Sequence, residues 1–322
     1  MFVLVFPGQG SQRPGMGRAW VDHPSWALVA ELSDVVGRDL AELLLDAGPE
    51  TLRATRNAQM ATFTLSAVAL HAALRGPLAR RGPGTADSAP DMLSPPSGLV
   101  AVAGHSLGEY TALVAAGALG LHQGARLVHA RGEAMQGAAE ATSGTMAAVL
   151  GLELAEIAAA CTEGEGTWVA NDNTARQVVI AGTAAGVEET SARLLKQGAK
   201  RVMALQVGGA FHTPLMAPAQ ARLDAALQAT PFSPSSRPLV ANLDARAHSD
   251  GFPALLSSQL CSPVRWRECL LALAGMGAKL FIELGPGTEL SRMVRRTVPE
   301  AARTNVAGPE DLGVLEGALA AS

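Results

Sequence analysis

Cysteine is scarce in this chain. Of 322 residues only Cys161, Cys261 and Cys269 carry a thiol. They form no C-x-x-C pair and their number is odd, which excludes the disulfide framework of a small secreted domain and points to free thiols in a core. No metal site is expected. Basic charge is also short. The formal net charge is −4 and lysine occurs only at Lys196, Lys200 and Lys279. This excludes a nucleic-acid binder of the kind whose whole domain or one stripe is basic. No apolar run approaches the roughly 18 residues of a membrane span. The opening "MFVLVFPGQG" has no basic leader and is broken at Pro7 and Gly8, so a cytoplasmic protein away from membranes is expected. Nucleotide fingerprints are missing too. "GQGSQR", "GEGTWV" and "GPGTEL" begin G-x-G without a glycine at the sixth position, and no Walker sequence is present. No dinucleotide or ATP cofactor is expected.

What the chain does have is apolar residues, 48% of the total, enough for a large core. "FVLVFPG" and "GLVAVAGHS" read as short buried strands, each followed by helix-like sequence, the βα alternation of a mostly parallel sheet. From about 143 to 207 the texture changes. "TMAAVLG", "TWVANDN", "QVVIAG" and "RVMALQV" read as strands, with helices at "LELAEIAAAC" and "TAAGVEETSARLLKQG". That β-α-β-β-α-β order is the ferredoxin-like split unit. The expected fold is therefore an α/β-hydrolase-like parallel-sheet domain, residues 1–142 and 208–322, with an inserted ferredoxin-like subdomain, residues 143–207. After the insert, "PLVAN" and "KLFIELGPG" read as strands, and "APAQARLDAALQAT" and "SPVRWRECLLALAGMG" as helices. Residues 82–97, rich in Pro, Ser, Gly and Asp, read as a surface loop. No internal repeat is visible.

In "GLVAVAGHSLGEY" a strand leads into G-x-S-x-G and then a helix, the context of a nucleophile elbow centred on Ser106. Glycines allow the chain to pass close by, and the helix beginning near Glu109 turns main-chain N–H groups toward the serine. A turn that needs small residues for structural reasons is the competing reading. Of the seven histidines, His122 and His129 share a polar helix face, and His105 neighbours the serine with its ring turned away. His212, in "LQVGGAFHTPLM", lies on a loop after a strand, where catalytic groups concentrate. In "LHQGARLVHARGEAMQ", Arg131 falls at the edge of the inward stripe of Leu121, Ala125, Val128, Gly132 and Met135. A guanidinium there needs a carboxylate, from the protein as a salt bridge or from a substrate held in a bidentate fork.

Taken together, "FPGQGSQ" at 6–12, "GHSLGEY" at 104–110, "RGEAMQ" at 131–136, "VANDN" with "QVVIAG" around 169–182, "GAFHTPLM" at 209–216, "QLCSPVRW" at 259–266 and "ELGPG" at 283–287 resemble a known family. They match, in order and over nearly the whole chain, the malonyl-CoA:acyl-carrier-protein transacylases and the related acyltransferase domains of polyketide synthases.

The resemblance implies Ser106 as the acylated nucleophile and His212 as its base. It implies Gln259 as the residue whose carbonyl orients the histidine, and the N–H groups of Gln9 and Leu107 as the oxyanion hole. Arg131 would pair with the malonyl carboxylate, Gln59 would be a polar pocket residue, and Phe211 would select against a branch at C2. Leu107, where relatives with another preference carry glutamine, points the same way. "NAQMA" and "GGAFH" depart from the commoner family patterns. The implied reaction is ping-pong malonyl transfer from malonyl-CoA to the phosphopantetheine thiol of an acyl carrier protein, by a monomer. For the acidic carrier, candidate docking residues are Lys196, Lys200 and Arg201, or Arg292, Arg295 and Arg296, each equally readable as a solvated basic face. The other readings are an acyltransferase of the same family using another acyl donor, an α/β-hydrolase or thioesterase with a carboxylate such as Asp172 orienting the base, and a carrier-docking module without activity.

Overall fold

The first strand, β1 (Phe2–Phe6), is buried at every position, as befits a strand covered on both faces by helices. In the computed structural model, which describes residues 1–79, 96–163 and 165–321, β1 pairs in parallel with β2 (Leu99–Gly104) and β9 (Leu280–Leu284). Strand β10 (Ala302–Val306) extends the sheet beside β9. On the other side β7 (Leu239–Val240) follows β2, and the short antiparallel β8 (Ala247–His248) closes that edge. The order is β10-β9-β1-β2-β7-β8.

Alternate residues of β1 serve different cores, because side chains alternate across a strand. Phe2, Leu4 and Phe6 join the larger cluster with helices α1 (Thr55–Arg75), α2 (Gly108–Ala115) and α3 (Leu121–Ala141). Val3 and Val5 join the smaller one, with helices α6 (Trp266–Gly275) and α7 (Glu289–Thr297).

The second sheet contains β3 (Gly144–Leu150), β4 (Thr167–Thr174), β5 (Gln177–Thr183) and β6 (Arg201–Ala204), ordered β4-β5-β3-β6 with antiparallel pairing throughout. Helices α4 (Leu154–Glu163) and α5 (Ala184–Lys196) cover one face through Ile157, Val187 and Leu194. Thr183 caps α5 by accepting from Gly186 N at 3.1 Å. The α/β fold with a ferredoxin-like four-stranded sheet is thus the one expected.

Three local expectations change. The helix read from "SPVRWRECLLALAGMG" begins only at Trp266. Val264 is instead held extended against β4, its N–H donating to Ala170 O and its carbonyl accepting from Asp172 N, both at 2.9 Å. The strand in "RVMALQV" ends at Ala204, and β8 and β10 were not expected. Cys161 and Cys269 are buried, while Cys261 is half-buried. The expected loop at 82–97 lies, for residues 82–95, outside the described residues. Among the described residues no helix is long and apolar enough to cross a membrane.

Candidate active site

Ser106 stands where β2 turns into α2, with φ of +52°, a left-handed conformation that costs a non-glycine residue energy and recurs at functional sites. The turn is possible because three chain segments touch there without side chains. A Cβ on Gly104 would stand 1.9 Å from the carbonyl carbon of Gly108, and one on Gly108 would stand 2.1 Å from Phe6 O. One on Gly8 would meet His105 O at 2.5 Å. This explains "FPGQG" and "GHSLG" as a pair: the first glycine-rich turn passes directly over the second.

His212 sits on the loop after β6, also at positive φ, +62°, and is buried. Its Nε2 lies 2.8 Å from Ser106 Oγ and its Nδ1 lies 3.0 Å from Gln259 O. A carbonyl can only accept, so Nδ1 carries the proton and Nε2 is free to take one from the serine. Burial, and then the positive charge of Arg131, push the His212 imidazole down to about 3, which keeps it a neutral base. Asp172 does not serve it. That carboxylate is held by Arg267 Nε at 2.9 Å.

Arg131 is not at the edge of its helix stripe but fully buried. Its Nη1 donates to Gln59 Oε1 at 2.7 Å, and its Nη2 to Ser106 Oγ at 2.9 Å and Gln259 Oε1 at 3.2 Å. The guanidinium carbon lies 5.7 Å from the centre of the Tyr110 ring. Among the described residues no carboxylate oxygen comes within 4.0 Å of it, and its Nε has no partner. A structural salt bridge is therefore not what holds this charge. Gln59, fully buried, backs Arg131 and does not line the cleft; its own Nε2 is 3.2 Å from Met135 Sδ.

A cleft of about 310 Å³ opens between the two sheets, with Gln9, Ser106, Arg131, Phe211 and His212 in its wall and Asn171 and Gln177 on the side of the small sheet. No acceptor among the described residues takes the main-chain N–H of Gln9 or of Leu107. Phe211 packs tightly because residue 209 is glycine. A Cβ there would lie 2.8 Å from Phe211 Cε1 and 2.9 Å from Ala139 Cβ. His105 turns away from the serine, its Nε2 2.9 Å from Asn173 Oδ1. Two residues escaped sequence reasoning, Glu109 and Asn242. Asn242 Oδ1 accepts from Ser106 N at 2.6 Å while its Nδ2 donates to Gly104 O at 2.8 Å, so it pins both sides of the elbow. Nothing in "PLVAN" marks it as more than a strand end.

The fold and this geometry define a serine enzyme with a histidine base held by a carbonyl, built to move an acyl group next to a buried cation. The acyl transferase domain family model matches residues 3–313. The malonyl CoA-acyl carrier protein transacylase of Bacillus subtilis (strain 168) is 36% identical over 319 residues, 96% of this chain and 94% of its own length. An acyl-carrier-protein S-malonyltransferase from Burkholderia pseudomallei 1710b superposes with a TM-score of 0.88 at 35% identity, covering 98% of this chain and 99% of that one. A malonyl transacylase solved in complex with its type II polyketide synthase acyl carrier protein gives 0.89 at 32% identity, with 98% and 99% coverage. The chain belongs to the acyl transferase domain family, among its malonyl-CoA:acyl-carrier-protein transacylases.

Two outcomes follow from this geometry. Gly104→Ala should lower stability in urea unfolding by about 3 kcal/mol, because main chain cannot readily yield to the new methyl. The second concerns pH, and its sign comes from the lowered pKa: the imidazole stays neutral as pH falls. Labelling of Ser106 by a neutral fluorophosphonate should stay nearly flat from about pH 7.5 to about pH 5, where a histidine of ordinary pKa would lose about thirtyfold. In Arg131→Ala, with the repelling charge gone, the fall should move to higher pH.

Proposed function

We propose that this chain moves a malonyl group from malonyl-CoA to the phosphopantetheine thiol of an acyl carrier protein, in fatty-acid or polyketide synthesis, through an acyl-enzyme on Ser106. The observation that carries this reading is the buried Arg131, which reaches the cleft beside Ser106 Oγ with no carboxylate partner among the described residues. A malonyl carboxylate supplies the missing charge and accepts from the guanidinium fork. It also fixes the thioester carbonyl relative to the serine. An acetyl group would leave the cation unpaired in a buried site, which disfavours it.

In the first half-reaction Ser106 Oγ attacks the thioester carbonyl as His212 Nε2 takes its proton. The N–H groups of Gln9 and Leu107 receive the developing oxyanion. Collapse expels CoA, which takes the proton from His212. The carrier thiol then repeats the sequence in reverse on the same acyl-serine. Phe211, packed on Gly209, is the ring against which a C2 branch would press. The same reading takes residues 1–142 and 208–322 as the catalytic unit and 143–207 as the insert, in a cytoplasmic enzyme.

For the carrier, the two basic clusters converge on one rim. Arg296 Nη1 donates to Gln177 Oε1 at 3.1 Å, and Gln177 lines the cleft. Gln177 pairs with Leu150, which pairs in turn with Arg201. Arg292, Arg295, Arg296, Lys200 and Arg201 are all exposed. An acidic carrier seated there would present its arm to the cleft.

Intact-mass measurement after brief exposure to malonyl-, methylmalonyl- and acetyl-CoA tests the chemistry. A malonyl adduct is expected, absent in Ser106→Ala and much reduced in Arg131→Ala, with little from the other two donors. CoA release without an adduct would instead favour hydrolysis. For docking, Arg295→Glu with Arg296→Glu should slow transfer to the carrier about tenfold and flatten its salt dependence, while acylation by malonyl-CoA holds. An unchanged rate and salt slope would remove α7 from the docking surface.

A further inference from the structure

The malonyl-transfer reading gives no role to a buried acid at the elbow. Glu109, the second residue of α2, is 1% exposed. One carboxylate oxygen, Oε1, accepts from the main-chain N–H of Asn242. The other, Oε2, accepts from Gln259 Nε2 at 2.5 Å. Both donors are fixed. Asn242 N–H is main chain, and Gln259 Nε2 also donates to Ser106 O at 2.9 Å. A proton on Glu109 would find no acceptor among these partners, so the carboxylate is the form that fits. Burial pushes its pKa up to about 8, with the two donors and Arg131 drawing it only part of the way down; the hydrogen-bond geometry, which offers a proton no acceptor, is what favours the carboxylate.

Gln259 is thereby held with its amide nitrogen toward Glu109 and its amide oxygen toward Arg131 Nη2, 3.2 Å away. Its main-chain carbonyl at the same time holds His212 Nδ1. A negative charge, one amide and a positive charge lie in a row, and the dipole of the amide is aligned with both ends.

We propose that Glu109 is a positioning residue for acyl recognition: through Gln259 it sets the amide orientation that holds the Arg131 guanidinium toward the acyl carboxylate. This rests on the malonyl-transfer reading and goes beyond it. In Glu109→Gln, Asn242 N–H still requires the side-chain oxygen. The new NH2 therefore faces Gln259, whose amide must turn over and point its own NH2 at Arg131. The fork loses an acceptor and gains a clash of donors, while Asn242 still holds Ser106 N.

The test measures acylation by malonyl- and acetyl-CoA in wild type, Glu109→Gln, Gln259→Ala and the double variant, with thermal unfolding as the folding control. Glu109→Gln should raise KM for malonyl-CoA about tenfold with kcat changed far less, and narrow the malonyl-over-acetyl ratio by a similar factor. Fluorophosphonate labelling of Ser106 should fall far less than malonyl acylation, since Asn242 still holds Ser106 N even though the turned amide no longer donates to Ser106 O. On the Gln259→Ala background, Glu109→Gln should add almost nothing, because its effect passes through that side chain.

An unchanged KM, an equal effect on both backgrounds, or labelling that falls in step with malonyl acylation would overturn the proposal. Should Glu109→Gln not fold, Gln259→Ala decides, since it leaves the buried charge in place. A narrowed malonyl-over-acetyl ratio upholds the Gln259 link through which Glu109 acts, and an unchanged ratio ends the proposal. Failure of the underlying reading shows separately, as a wild type that forms no malonyl adduct.

Discussion

The site depends on main chain meeting main chain at the elbow. Gly104 and Gly108 lie so close, and Phe6 O so near Gly108, that no side chain fits at either position. That contact forces Ser106 into positive φ and lifts its hydroxyl out of the sheet's end. Asn242 then ties the elbow from below, taking Ser106 N and giving to Gly104 O. The glycine-rich turn after β1 can lie across the elbow only because Gly8 also lacks a Cβ. In this way Gln9 comes to the same cleft as Ser106 from a segment about a hundred residues away.

Around that elbow the electrostatics are unusual for a buried site. An acid and a cation, Glu109 and Arg131, lie in the interior, and a single amide side chain separates them. Burying an ion unpaired is costly, and here the cost is spread. Arg131 is satisfied by Gln59, Gln259, the serine hydroxyl and the Tyr110 ring. Glu109 is satisfied by Asn242 and Gln259. Each of these partners is neutral, so among the described residues none neutralises Arg131. The same positive charge helps hold His212 neutral, so under the proposed malonyl transfer one guanidinium would serve both recognition and the readiness of the base.

The cleft exists because the two sheets are joined firmly at one edge and left apart at the mouth. Val264 is held by two main-chain hydrogen bonds to β4, and Asp172 is clamped by Arg267. These contacts convert what reads as the first turn of a helix into an extended bridge. They also take up Asp172, the acid that a hydrolase would have needed behind its histidine.

By itself the sequence determined what short-range chemistry can encode. The buried strands, the β-α-β-β-α-β insert, the serine in its glycine frame and the family motifs are all local patterns. They named Ser106, His212, Arg131 and Gln259, which the tertiary structure brings within hydrogen-bond distance of one another. The fold alone decided that Arg131 is wholly buried and, among the described residues, without an acid, because a position at a stripe's edge does not reveal what packs over it. It alone found Asn242 and Glu109. An asparagine closing "PLVAN" reads as a strand end, and a glutamate opening a helix reads as a partner for the helix dipole. Their roles come from partners more than a hundred residues away. Strand β10 was illegible for a similar reason. "ARTNV" has no strong strand pattern, and only the waiting edge of β9 makes it a strand.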